Sequence, residues 1–256
     1  MVFQSLKLKD LKSFSADFSS RSKTGIELAL DNNDFYHFEE SELIYLKKTA
    51  EKNQFFFASF HAPFHDLNLA SSDENLRAYA VRKVNTAISL ASRLNVRKVI
   101  FHTGINPLVP EKKKEEICQR FFQSLEVLSN EAFKKNVVLF VENTYEKDFY
   151  YFEKMFHSFP ELKLVLDIGH SYCFSNKKAD EWIENFSEKI EHCHLHDNLL
   201  IEDSHLSLGE GKIPFHKILP LLPEKATLTL ETPFKDLEKN LKFLSEHSLL
   251  KESVLS

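Results

Sequence analysis

The chain has 256 residues, 43% of them hydrophobic and 28% charged, with a formal net charge of −5. That composition supplies a sizeable core and excludes a general electrostatic pull toward nucleic acid or anionic membrane, so a phosphate-bearing partner has to be attracted locally, by metal ions or a few lysines. MVFQSLKLKD lacks the apolar run of a secretory signal, and no stretch reaches the roughly 18 apolar residues of a membrane span; with Cys118, Cys173 and Cys193 outside any CxxC spacing, a cytoplasmic protein with reduced thiols and no membrane partner is expected.

Short apolar runs alternate with amphipathic segments along the whole chain. The runs are VFQSLKL (2–8), GIELAL (25–30), FFFASF (55–60), VRKVIF (96–101), VVLFVE (137–142), LKLVLD (162–167), IEHCHL (190–195) and ATLTLE (226–231). Between them lie helical patterns such as 74–95 and 115–136, and a short polar one over about 9–20. Strands alternating with helices imply parallel βαβ units, and eight of them in a length near the roughly 250 residues typical of such barrels predict an α/β fold, a (β/α)8 TIM barrel. No linker or composition break interrupts the pattern, so residues 1–256 are expected to form a single domain. The three lysines at 112–114 read as a solvated helix face.

Barrels of this class carry their active sites at the C-terminal ends of the strands. The residues closing the runs are His61, His102, Glu142, Asp167 with His170, His194 with Asp203 and His205 in the following loop, and Glu231. One histidine at a strand end is usually a hydrogen-bonded structural residue, and one acid is often a helix cap. Six consecutive strands ending in good ligands are a different matter, and imidazole with carboxylate suits Zn, Mn or Fe(II). The stretch HCHLHDNLLIEDSH (192–205) alone holds four of the twelve histidines. On an alternating strand Cys193 points away from His192 and His194, and His192 lies one layer deeper as a structural residue. His196 and Asp197 enter the loop, where they either support a ligand or bind substrate. Phe64 and His65, after the third strand, either line a small pocket or wedge into a duplex.

The ordered set HAPFHDLNLASSDENLR, FHTG, VENT, LDIGH, HLHDN, DSHLSLGEGKI and LETP resembles the xylose isomerase-like TIM barrel superfamily, and within it the endonuclease IV branch. That resemblance implies two to three divalent ions, zinc foremost. His61 and His102 would hold the first, with Glu142 bridging to a second completed by Asp167, His194 and Glu231; His170, Asp203 and His205 would hold the third. Glu142 or Glu231 would orient a water or take its proton. The implied activity is hydrolysis of a phosphodiester or phosphate ester. The alternative is a sugar or sugar-phosphate isomerase or epimerase using one ion on Glu142, Asp167, His194 and Glu231. Two signatures depart from endonuclease IV: DIGH stands where that branch has DTCH, and HLHDN where it has HLNDSK. The loop after the second strand carries Asp31, Asp34, Glu39 and Glu40, so a small phosphorylated or sugar-like substrate is expected in preference to duplex DNA.

Overall fold

The computed structural model describes residues 1–12, 25–31, 40–53 and 55–247. Eight strands, β1 (Val2–Lys7), β2 (Gly25–Ala29), β3 (Phe57–His61), β4 (Lys98–His102), β5 (Val138–Glu142), β6 (Lys163–Asp167), β7 (Ile190–Leu195) and β8 (Thr227–Leu230), form a closed barrel in chain order. Every strand falls on one of the apolar runs, with no end displaced by more than two residues. The helices are α1 (Leu8–Lys12), α2 (Glu40–Asn53), α3 (Glu74–Arg93), α4 (Lys114–Lys134), α5 (Tyr150–Ser158), α6 (Ile168–Cys173), α7 (Ala179–Phe186), α8 (Phe215–Ile218) and α9 (Leu237–Glu246). The helix expected over about 9–20 is described only as α1, and the rest of it lies outside the described residues. Among the described residues no helix is long and apolar enough to cross a membrane.

Two compact units divide the described chain: Leu6–Glu142 with Phe149–Leu162, and Met1–Ser5 with Asn143–Asp148 and the residues from Lys163 onward. In the first, β2 to β5 pair in parallel, and the register sets His102 opposite Glu142. The long helices start and stop on local signals. Asp73 caps α3 by accepting hydrogen bonds from the amides of Asn75 and Leu76, at 2.8 and 3.2 Å. Ala80, Val84, Ala87, Ile88 and Ala91 put one apolar stripe of α3 into the core. Past the ends of α3 and α4, Asn95 (φ 58°) and Asn136 (φ 55°) take the left-handed conformation that asparagine tolerates, turning the chain into β4 and β5. Lys113 pairs with Glu116 on the solvated face read from the sequence, whereas Lys114 departs from that reading: its side chain is only 14% exposed, lies over the Tyr150 ring and pairs with Glu111. Glu40, one of the acids after the second strand, pairs with Arg93, whereas Asp34 and Glu39 lie outside the described residues.

In the second unit β6, β7 and β8 pair in parallel, β8 continues onto β1, and the register sets Asp167 opposite His194. His192 is buried, with ring nitrogens 2.6 and 2.9 Å from the hydroxyls of Thr227 and Thr229. Those bonds satisfy a core imidazole inside the barrel wall. Cys193 is fully buried as a thiol that burial pushes up to about 12. Its proton is retained, which makes it a small hydrophobe in the core.

Candidate metal centre

In the first unit, the C-terminal ends of β3, β4 and β5 present His61, His102 and Glu142 together. His61 Nε2 lies 3.1 Å from His102 Nε2 and 3.0 Å from Glu142 Oε2, and His102 Nε2 lies 3.2 Å from the same oxygen. Bonds of about 2.0–2.1 Å to a tetrahedral ion put neighbouring ligand atoms about 3.3 Å apart, so this triangle has the edge lengths of a coordination shell. The backbone carbonyl of Ala62, 2.8 Å from His61 Nδ1, can only accept, so Nδ1 carries the proton and Nε2 of the neutral ring offers its lone pair. Phe64 roofs the pair: its ring centroid is 4.3 Å from that of His102 and 5.4 Å from that of His61. His65 stands outside it, 4.2 Å from the Phe64 ring.

The second unit holds Asp167, His194 and Glu231. The two oxygens of Asp167 face different groups. It caps α6 through Oδ1, which accepts from the His170 amide at 2.6 Å, and its Oδ2 lies 4.0 Å from His194 Nδ1. Asn143 fixes the strand end around it, with Nδ2 donating to the Asp167 carbonyl (2.9 Å) and Oδ1 accepting from its amide (2.8 Å). Glu231, just past β8, places Oε1 3.4 Å from His194 Nδ1.

The same unit brings His170, Asp203 and His205 together and adds His196 to them. Asp203 Oδ2 lies 3.2 Å from His170 Nε2 and 3.1 Å from His205 Nε2. Carbonyls again fix the rings: His170 Nδ1 meets Asn143 O at 3.0 Å, and His205 Nδ1 meets Glu231 O at 2.6 Å. Burial alone would raise the Asp203 pKa, but hydrogen bonds from His170 and His205 outweigh it and hold the carboxyl well below the usual range. Burial would lower His205, but its bond to Asp203 and the charge of Glu231 push it up to about 9. Together these donor sets fit divalent cations: convergent imidazole and carboxylate atoms, with three rings turned so that Nε2 faces the cluster.

The loop after β7 is built around Asp197. Its carboxylate accepts from the amides of Asn198 (2.8 Å), Gly209 (3.0 Å), Gly211 (2.9 Å) and Ile213 (3.1 Å). With both oxygens committed to backbone, Asp197 shapes the loop that carries Asp203 and His205. Asp197 and Leu206 also exchange two backbone hydrogen bonds of 2.8 Å, closing the neck of that loop. At its tip Leu199, Leu200 and Ile201 are exposed. Sequence reasoning gives His196 only a supporting or substrate-binding role, whereas the structure sets it inside the cluster. The one signal for that was HLHDN standing where the endonuclease IV branch has HLNDSK.

A closed (β/α)8 barrel with histidine and carboxylate clusters at its strand ends defines a class, and the chain belongs to the xylose isomerase-like TIM barrel family, whose pattern it matches over residues 23–252. The family is one of enzymes. The chain is 33% identical over 162 residues to the uncharacterized protein MJ1614 of Methanocaldococcus jannaschii, a match that spans 62% of each chain. It is 27% identical over 199 residues to a probable endonuclease 4 of Aquifex aeolicus, covering 68% of this chain and 69% of that one. Among solved structures it resembles the TTHB071 protein of Thermus thermophilus soaked with ZnCl2 (TM-score 0.82, 23% identity, 96% and 97% of the two chains). It also resembles a D-tagatose 3-epimerase-like protein (TM-score 0.78, 22% identity, 96% and 97%). The last two likenesses are likenesses of fold.

Proposed function

We propose that the chain is a divalent-metal-dependent hydrolase of a phosphodiester or phosphate ester, acting on a small phosphorylated or sugar-like substrate. The observation that carries this reading is that the ligand-type groups come in more than one set. His61, His102 and Glu142 form one, and His170, Asp203 and His205 form another, in addition to Asp167, His194 and Glu231. Hydrolysis assisted by two to three ions uses all nine residues. The relationship to a probable endonuclease 4 supports the same branch.

Divalent cations, zinc foremost, would neutralise the oxygens of a phosphate and lower the pKa of a water molecule. The rest falls to the chain. The carbonyls of Ala62, Asn143 and Glu231 keep three imidazoles in the ligand tautomer. Phe64 shields one side of His61 and His102 from water, and with His65 it meets the substrate. Glu231, with a side chain 14% exposed, is the group open enough to take up a proton from the attacking water, while Glu142, 1% exposed, is held for ligation.

The second reading, a sugar or sugar-phosphate isomerase or epimerase with one ion on Glu142, Asp167, His194 and Glu231, is favoured by the closeness of Glu231 to His194. Elemental analysis of protein purified without chelator separates the two. Two to three ions per chain, with turnover of a phosphodiester or phosphomonoester, support the hydrolase. One ion, indifferent to changes at His61 and His205, with turnover of a ketose or aldose, supports the isomerase.

A further inference from the structure

His196 is fully buried, and neither of its ring nitrogens has a hydrogen-bond partner. Leaving a buried imidazole unsatisfied is costly, so its position needs a reason. Nε2 lies 3.2 Å from Asp167 Oδ1 and 3.4 Å from Asp203 Oδ1, close to two carboxylate oxygens yet hydrogen-bonded to neither. That is the arrangement of atoms directed at a common ion instead of at one another. His205 stacks on its face, with centroids 4.0 Å apart and planes 16° from parallel, and His170 meets it edge-on at 5.6 Å.

The space for this ring comes from one residue. A Cβ on Gly169 would stand 2.0 Å from His196 Cε1 and 2.3 Å from Nε2. Any side chain at 169 therefore evicts the imidazole. The glycine of DIGH and the second histidine of HLHDN, two separate differences in the sequence, are one structural feature.

We propose that His196 is a fourth protein ligand of the cation held by His170, Asp203 and His205, admitted by Gly169. This rests on the reading of that cluster as a cation site and deepens it. Three protein ligands leave a position open for water or substrate, whereas four complete a tetrahedral ion. The cation at this cluster then fixes the loop after β7 to the barrel, and the substrate is met by the ions on the other ligands.

The test is a Co2+ titration of the full-length, chelator-treated chain, followed by visible absorption and by metal analysis. Four-coordinate Co2+ gives intense visible bands that six-coordinate Co2+ lacks. His196→Asn is expected to remove one ion's share of these bands, the same share that Asp203→Asn removes, and to weaken the affinity of that one site by about tenfold or more. His196→Cys is expected to keep the bands and add a sulfur-to-cobalt charge-transfer band in the near ultraviolet, a signal that a misfolded variant does not give. Gly169→Ala is expected to match His196→Asn, and the double variant to be no worse than either, since both remove the same ligand. Asp203→Asn separates the cation site from its fourth ligand. If it leaves stoichiometry unchanged, the cluster holds no cation and the reading beneath falls. If it removes one ion while His196→Asn changes neither spectrum nor affinity, the cation is real and the fourth ligand is overturned.

Discussion

His61 and His102 turn their Nε2 atoms toward each other at 3.1 Å, with Glu142 Oε2 within 3.2 Å of both. Two imidazole nitrogens at that distance share either one proton or one cation, and the carboxylate favours positive charge between them in either case. His61→Ala and His102→Ala are each expected to remove one ion per chain and to leave the ion on His170, Asp203 and His205 in place. Metal analysis of the two variants checks this. Loss of every ion from either variant would contradict independent sites.

Asp197 sets the second prediction. It is buried and holds four amides with one carboxylate. Asp197→Ala leaves those donors without a partner and is expected to cost about 3 kcal/mol in denaturant unfolding. Affinity for the cation on Asp203 and His205 should fall with it, because both stand on the loop it shapes. Asp197→Asn keeps an acceptor oxygen and should cost less.

The cysteines give a pH prediction. Burial pushes Cys193 up to about 12 and both Cys118 and Cys173 up to about 11. Alkylation needs the thiolate, so labelling of the folded chain should be negligible at pH 8 and rise as the pH climbs toward 11. Cys173, the more accessible thiol, should react first, whereas Cys118 and Cys193 should label only on unfolding. Mass spectrometry after timed alkylation reads the order. Rapid labelling of Cys193 at pH 8 would show that its strand opens in the folded state.

Charge sets the fourth. A chain of net −5, with Asp31 and Glu40 after the second strand, offers a duplex little of the cationic surface its backbone needs. Incision of an abasic oligonucleotide should be weak, while a small phosphate ester is turned over with little dependence on salt. Efficient, steeply salt-sensitive incision would reverse the substrate assignment.

Strand positions were legible because each strand is a compact apolar run, and the ligand-type residues because they end those runs. The parity of β7 put His192 and Cys193 on opposite faces of the strand, and both are fully buried. The loop was less legible, since its chemistry depends on contacts between distant positions. Nothing local in the sequence says that Asp197 spends both oxygens on amides as far away as 209 to 213, or that a glycine at 169 makes room for a ring at 196. Period and spacing report on a single element, and these contacts join two.

The loop from Asn198 to His205 is pinned at its neck by the Asp197–Leu206 pair and gripped from within through Asp203 and His205, while Leu199, Leu200 and Ile201 project from it. Its anchoring and its outer surface therefore reside in different residues. Mutation can rewrite the three tip positions, in kind or in bulk, while the anchors keep their partners. A lineage that keeps the anchors is free to try new molecules at the mouth of the barrel by changing only what the loop shows them.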